Sequence, residues 1–155
     1  MRRTESRWLL AAAMAAALIV GSPADACTIS ATGVTFGIYD PRAAGADDGT
    51  GTISLSCHPN DQNPNVALGT GGSGSFSPRE MQNGVWQLNY NLYTTSARTT
   101  VWGDGSGGTA SVTLSGGSVS GGRRRFSRDI FGRIPALQNV GAGTYTDTVV
   151  VTVTF

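Results

Sequence analysis

The clearest pattern in the chain is a strict two-residue alternation at its C-terminus. Tyr145, Val149, Val151, Val153 and Phe155 fall on one side while Thr146, Thr148, Val150, Thr152 and Thr154 fall on the other. An alternation of that period predicts a β-strand over 144–155 with one buried face. Burying Val149, Val151, Val153 and Phe155 is worth on the order of 6 to 12 kcal/mol before entropy. The same step recurs in Ile53, Leu55 and Cys57, and in Leu88, Tyr90 and Leu92. Further short runs give predicted strands at 28–36, 52–57, 66–69, 87–93 and 110–114, separated by clusters of Gly, Asn, Asp and Pro that read as turns. Outside the first residues there is no helical period, so the fold class is all-β.

The N-terminus follows other rules. Arg2, Arg3 and Arg7 precede an apolar run over 8–20, and Ala24-Asp25-Ala26 follows. A basic start, an apolar middle and a small-residue cut site predict a secretory signal over 1–26. Thirteen apolar residues at about 1.5 Å each fall short of the roughly 30 Å a membrane span needs. Stable membrane insertion is therefore not expected, and the charge of Asp25 argues against a lipid anchor on Cys27. What remains is one domain, 27–155, with no linker and no repeat.

Composition then narrows the function classes. The mature segment has eight Arg, no Lys and eight acids, which gives no electrostatic case for nucleic acid or an anionic membrane. Cys27 and Cys57 are the two cysteines, and an exported chain meets an oxidising compartment, so they are expected to pair.

Candidate chemistry is sparse. His58 is the single histidine and reads as a turn residue past a strand end. Asp104-Gly105-Ser106-Gly107-Gly108 lacks the further acids of a calcium loop and the Lys of a phosphate loop, and reads as a hairpin connection. Asp47-Asp48 reads as part of a solvated loop. No cofactor, metal or catalytic group is expected. Arg123, Arg124 and Arg125 form the one charge cluster. They read as a solvated loop and a candidate surface contact, toward an acidic surface on a neighbouring subunit or a polysaccharide.

Several ordered segments carry a family resemblance: Phe36-Gly37-Ile38-Tyr39-Asp40-Pro41, Arg79-Glu80-Met81, Leu88-Asn89-Tyr90-Asn91-Leu92-Tyr93, Val101-Trp102-Gly103-Asp104-Gly105 and Phe131-Gly132-Arg133-Ile134-Pro135. With the C-terminal strand, they resemble the successive motifs of spore coat protein U (SCPU) domains of archaic, Csu-type chaperone-usher pilus subunits. The resemblance implies an incomplete immunoglobulin-like β-sandwich with six main strands, open to a donor strand and closed by one disulfide, Cys27 to Cys57. Its implied partners are a periplasmic chaperone, an outer-membrane usher and other pilus subunits, with export through the periplasm to the cell surface. Val149, Val151, Val153 and Phe155 are then the expected wall of the donor-strand groove. With no donor segment ahead of Cys27 after cleavage, a terminal or tip position is expected. The rival readings are a non-polymerising coat protein and a carbohydrate-binding adhesin module presenting Trp86, Trp102 and Tyr93.

Overall fold

The computed structural model describes residues 27–155, so the expected signal over 1–26 lies outside the described residues. The described strands are β1 (Thr28–Thr35), β2 (Asp47–Cys57), β3 (Asn65–Leu68), β4 (Arg79–Asn83), β5 (Trp86–Tyr93), β6 (Val112–Thr113), β7 (Ser118–Ser120), β8 (Arg123–Ile134) and β9 (Val151–Thr154). They form two sheets. The larger runs β1-β2-β8-β5-β4, with β7 also paired to β8, and the smaller runs β6-β3-β9. Every named pairing is antiparallel.

Period-two burial explains the layering. On β2, Ile53, Leu55 and Cys57 are buried while Ser54 and Ser56 alternate toward solvent. Leu88, Tyr90 and Leu92 do the same on β5, and Phe126, Ile130 and Ile134 on β8. Val66 and Leu68 of β3 meet them from the smaller sheet. Trp102 fills the middle, fully enclosed, with its indole Nε1 donating to the Val66 carbonyl at 2.9 Å. This is the all-β fold that the alternation predicts, arranged as the immunoglobulin-like sandwich that the resemblance implies.

All six predicted strand regions carry strands, but three further strands were not foreseen. The largest difference is β8, whose 12 residues pair along the whole of β2. Its arginine run and Gly132 look like interruptions, and Arg123 to Arg125 were expected in a loop. Strand geometry tolerates them because alternate residues leave the core. Gly132 leaves room for the Phe36 ring, which rests on this strand: a Cβ would lie 2.6 Å from it and force it to shift. Asp47 and Asp48, also expected in a loop, begin β2. Asp48 accepts from Nε and Nη2 of Arg133, at 2.7 and 2.9 Å. That contact holds its carboxyl below the usual carboxylate range.

The final strand is shorter than expected because the chain changes sheets. Thr146 exchanges two backbone hydrogen bonds with Gln82 of β4, at 2.9 and 3.2 Å. By Val150, whose carbonyl accepts from Gly69 N at 2.8 Å, it has reached the smaller sheet. The segment thus begins on an edge of one sheet and ends on an edge of the other.

A Cys27–Cys57 disulfide ties the start of β1 to the end of β2, the two cysteines standing 30 positions apart in sequence. Closing a loop of that size contributes about 3 to 4 kcal/mol in the chain-entropy model. Urea unfolding with and without dithiothreitol should show a loss of that order. Coincident midpoints would count against a structural role for the bridge.

Candidate functional site

Among the described residues, β1 and β9 each have one strand neighbour, β2 and β3 respectively, so each presents an edge that no described strand covers. Between these edges the core is not closed. Val34, Phe36, Tyr145, Val149, Val151 and Val153 pack against the buried cluster yet remain only half-buried. On β1, Ile29 stands opposite the buried Leu55 and is 42% exposed, so even the inward-facing side of this strand is uncovered.

Two clefts make up the opening. The smaller, about 280 Å³, lies over Leu68, Leu92 and Ile130, with Val149 and Val151 on its wall. The larger, about 720 Å³, lies over Leu88, Ile134 and Val140 and reaches Ile38 and Tyr39. Val34, Phe36, Met81 and Tyr145 line both, so the clefts are continuous along the inner side of β1. The Phe36 ring meets Tyr90 edge-on at 6.1 Å between centroids and thereby marks the division.

A polar fixture sits at the base of the smaller cleft. Tyr90 donates its hydroxyl to Asp147 Oδ2 at 2.6 Å, while Oδ1 accepts from the backbone N of Gly72 at 2.8 Å and of Thr148 at 2.7 Å. Burial and the adjacent carboxylate push the Tyr90 phenol far above its ordinary value. Gly71 has φ +72°, and a Cβ there would collide with Asp147, so only glycine lets the turn close over the carboxylate.

Beneath this lies Arg79, fully buried. Its Nε and Nη2 donate to the Gly69 carbonyl at 3.0 and 2.8 Å, Nη1 to Asn91 Oδ1 at 2.7 Å, and Nη2 also to the Trp102 carbonyl at 2.7 Å. Its guanidinium lies 5.1 Å from the centre of the Phe76 ring. Burial lowers the pKa of this guanidinium, opposed by Tyr90 and Asp147.

The expected groove residues divide accordingly. Val149 and Val151 line the smaller cleft, and Val153 is half-buried against the core opposite Val66. Phe155 lies past the end of β9, 69% exposed, so the strand expected to bury it stops short. Strand parity separates the three arginines as well. Arg124 turns to bind the carbonyls of Pro59 and Gly117 at 2.8 and 2.9 Å. Arg123 donates to the Ser56 carbonyl at 2.6 Å, and Arg125 is exposed on the outer face. His58 is held in a turn: its backbone N donates to Asp61, and its ring Nδ1 accepts from Asn60 N at 3.2 Å. Asp104 accepts from both the backbone N and hydroxyl of Ser106, a local turn. The aromatic platform of the adhesin reading is not formed, because Trp102 is 0% exposed while Trp86 is half-exposed.

Arg79, Tyr90 and Asp147 were not foreseen as a unit. The signal for Asp147 was present, since it falls on the inward parity between Tyr145 and Val149.

Comparison with known proteins places this geometry in context. Residues 12–152 match the family described as Spore Coat Protein U domain. The chain is 33% identical over 174 residues to Protein U of Myxococcus xanthus, taking in 91% of this chain and 93% of that protein. Among solved structures it is similar to one of the CsuC-CsuE chaperone-tip adhesion subunit pre-assembly complex from archaic chaperone-usher Csu pili of Acinetobacter baumannii. There the TM-score is 0.60 and the identity 25%, over 84% of this chain and 39% of the matched chain, so this chain spans about two fifths of that chain's length. Among the described residues no helix is long and apolar enough to cross a membrane.

Proposed function

The chain belongs to the Spore Coat Protein U domain family, and from that premise we propose that it is a structural, non-enzymatic subunit of a chaperone-usher surface fibre, completed by a strand from another chain. The observation that carries this is the open groove between β1 and β9, where apolar side chains of both edges are half-covered. An extended segment laid there gains main-chain hydrogen bonds from an unpaired edge and buries apolar side chains in the clefts. A periplasmic chaperone would supply that segment first, and a neighbouring subunit would replace it during assembly at the usher. Such a fibre would serve attachment and biofilm growth at the cell surface. The similarity to a chaperone-bound pilus subunit supports this reading.

A second reading, a coat protein that never polymerises through an usher, is favoured by the nearly full-length match to Protein U. One titration separates the two. A synthetic peptide of about ten to fifteen residues with alternating apolar and polar positions spans an edge of this length. Near-saturating peptide should raise the melting temperature by on the order of 10 °C, while a scrambled polar peptide should do nothing. A lone chain that melts cooperatively at high temperature and ignores the peptide would support the coat reading.

A further inference from the structure

The outer face of the larger sheet, on the side away from the groove, carries an ordered array of hydroxyl groups around Arg125, with Arg123 of the same strand face donating to the Ser56 hydroxyl at 3.5 Å. Register places Thr28, Ser56, Arg125 and Ser118 side by side across four strands. Ser30, Ser54 and Ser127 form the next row. These side chains face solvent because their neighbours along the strands, Leu55, Cys57 and Phe126, face the core.

Together they wall a concavity of about 430 Å³ in which Arg125 is the one charged lining residue. It adjoins a second concavity of about 370 Å³ that shares Ser118, Arg125 and Ser127 and adds Thr113, Ser115 and Arg128. No acidic residue lines either. Among the described residues, no hydrogen bond or ion pair engages the Arg125 side chain. By contrast, Arg133 is paired with Asp48 and Arg124 with two carbonyls.

We propose that this face is a binding site for an acidic polysaccharide, with the Arg125 guanidinium taking a carboxylate or sulfate group and the serine and threonine hydroxyls taking the sugar hydroxyls. A planar guanidinium matches either anion through two parallel hydrogen bonds. Each hydroxyl both donates and accepts, which suits a ligand whose own groups do both. Strands about 4.8 Å apart, with same-face residues about 6.7 Å apart along each, set the hydroxyls on a regular lattice for a repeating polymer. A peptide strand fits poorly, since the array is polar and lies on a face, not an edge. Nucleic acid fits poorly too, because so few cations neutralise few phosphates and the one ring in the lining, Phe126, is buried.

The test is retention of the purified chain on immobilised polygalacturonate, dextran sulfate and neutral dextran in low salt. Retention is expected on one or both anionic polymers and not on neutral dextran, the preferred polymer telling carboxylate from sulfate. Arg125→Glu should weaken it at least about tenfold. Arg42→Glu, the same charge change at an exposed arginine elsewhere, should leave it unchanged. Ser118→Asp, which sets an acid beside Arg125, should act like Arg125→Glu and guards against a folding defect in either variant alone. Equal losses in the Arg42 and Arg125 variants would overturn the proposal, as would equal retention on neutral dextran or no retention at all. Arg125-dependent binding of single-stranded DNA at comparable strength would also refute the polysaccharide assignment.

Discussion

Arg79→Ala should cost about 3 to 5 kcal/mol and leave little folded protein, the largest single-residue effect expected in the chain. The arginine is 0% exposed, and its donors meet the carbonyls of Gly69 and Trp102 and the side chain of Asn91. Truncation would strip those acceptors of a partner in a dry site, at about 1 to 3 kcal/mol for each group left bare, and would open a cavity. Net stability of a domain is only about 5 to 15 kcal/mol, so the loss is a large fraction of it. The contacts join β4 and β5 to the turn after β3 and to Trp102, so both sheets should loosen together. Arg79→Lys tests the geometry. An ammonium is a point donor and cannot reproduce the fork, so it should recover only part of the loss. Urea unfolding of the three proteins decides the matter; full stability in the alanine or lysine variant would refute a clamp role.

Arg79 also shows where reading the sequence stops. Alternation reveals which residues point inward only when those residues are apolar. Ile53 and Leu55, Leu88 and Leu92, and Val149 and Val151 therefore announced β2, β5 and the C-terminal strand. β4 reads Arg-Glu-Met-Gln-Asn, and of its two buried positions only Met81 is apolar, the first being an arginine whose burial depends on acceptors from β5 and from two loops. No local pattern carries that. β8 was hidden differently, because its first inward positions are interleaved with Arg123, Arg125 and Ser127, and a charge run resembles a loop until its partner strand is known. The alternation reveals six of the nine described strands, so the groove does not follow from counting them, and its location required knowing that the C-terminal segment crosses from β4 to β3. Phe155 continued the alternation by one residue beyond the point where β3 offers a partner, so its predicted burial fails.

Val151→Asp should abolish completion of the fold by an added strand, whereas Val150→Asp should not. The two residues are neighbours, yet Val151 lines the smaller cleft opposite the inner side of β1 while Val150 is 67% exposed on the other face. A carboxylate at 151 would be enclosed once a strand lay over it. Asp147, which lines the same cleft, would repel it, and the cleft's Leu68 and Leu92 offer no hydrogen bond. The cost of several kcal/mol therefore falls mainly on the complemented state, because in the open groove water still reaches the site. At Val150 the charge stays in solvent in both states, and a change within about 0.5 kcal/mol is expected. Thermal melts with and without the alternating peptide read this out: wild type and Val150→Asp should shift by similar amounts, and Val151→Asp should not respond. Val151→Thr preserves shape while adding a hydroxyl, so it should keep the melting temperature of the free chain near wild type and reduce the shift. A full peptide response in Val151→Asp would place the added strand elsewhere than between β1 and β9. Equal loss in the 150 and 151 variants would instead mean that the C-terminal segment matters for folding alone and does not wall the groove.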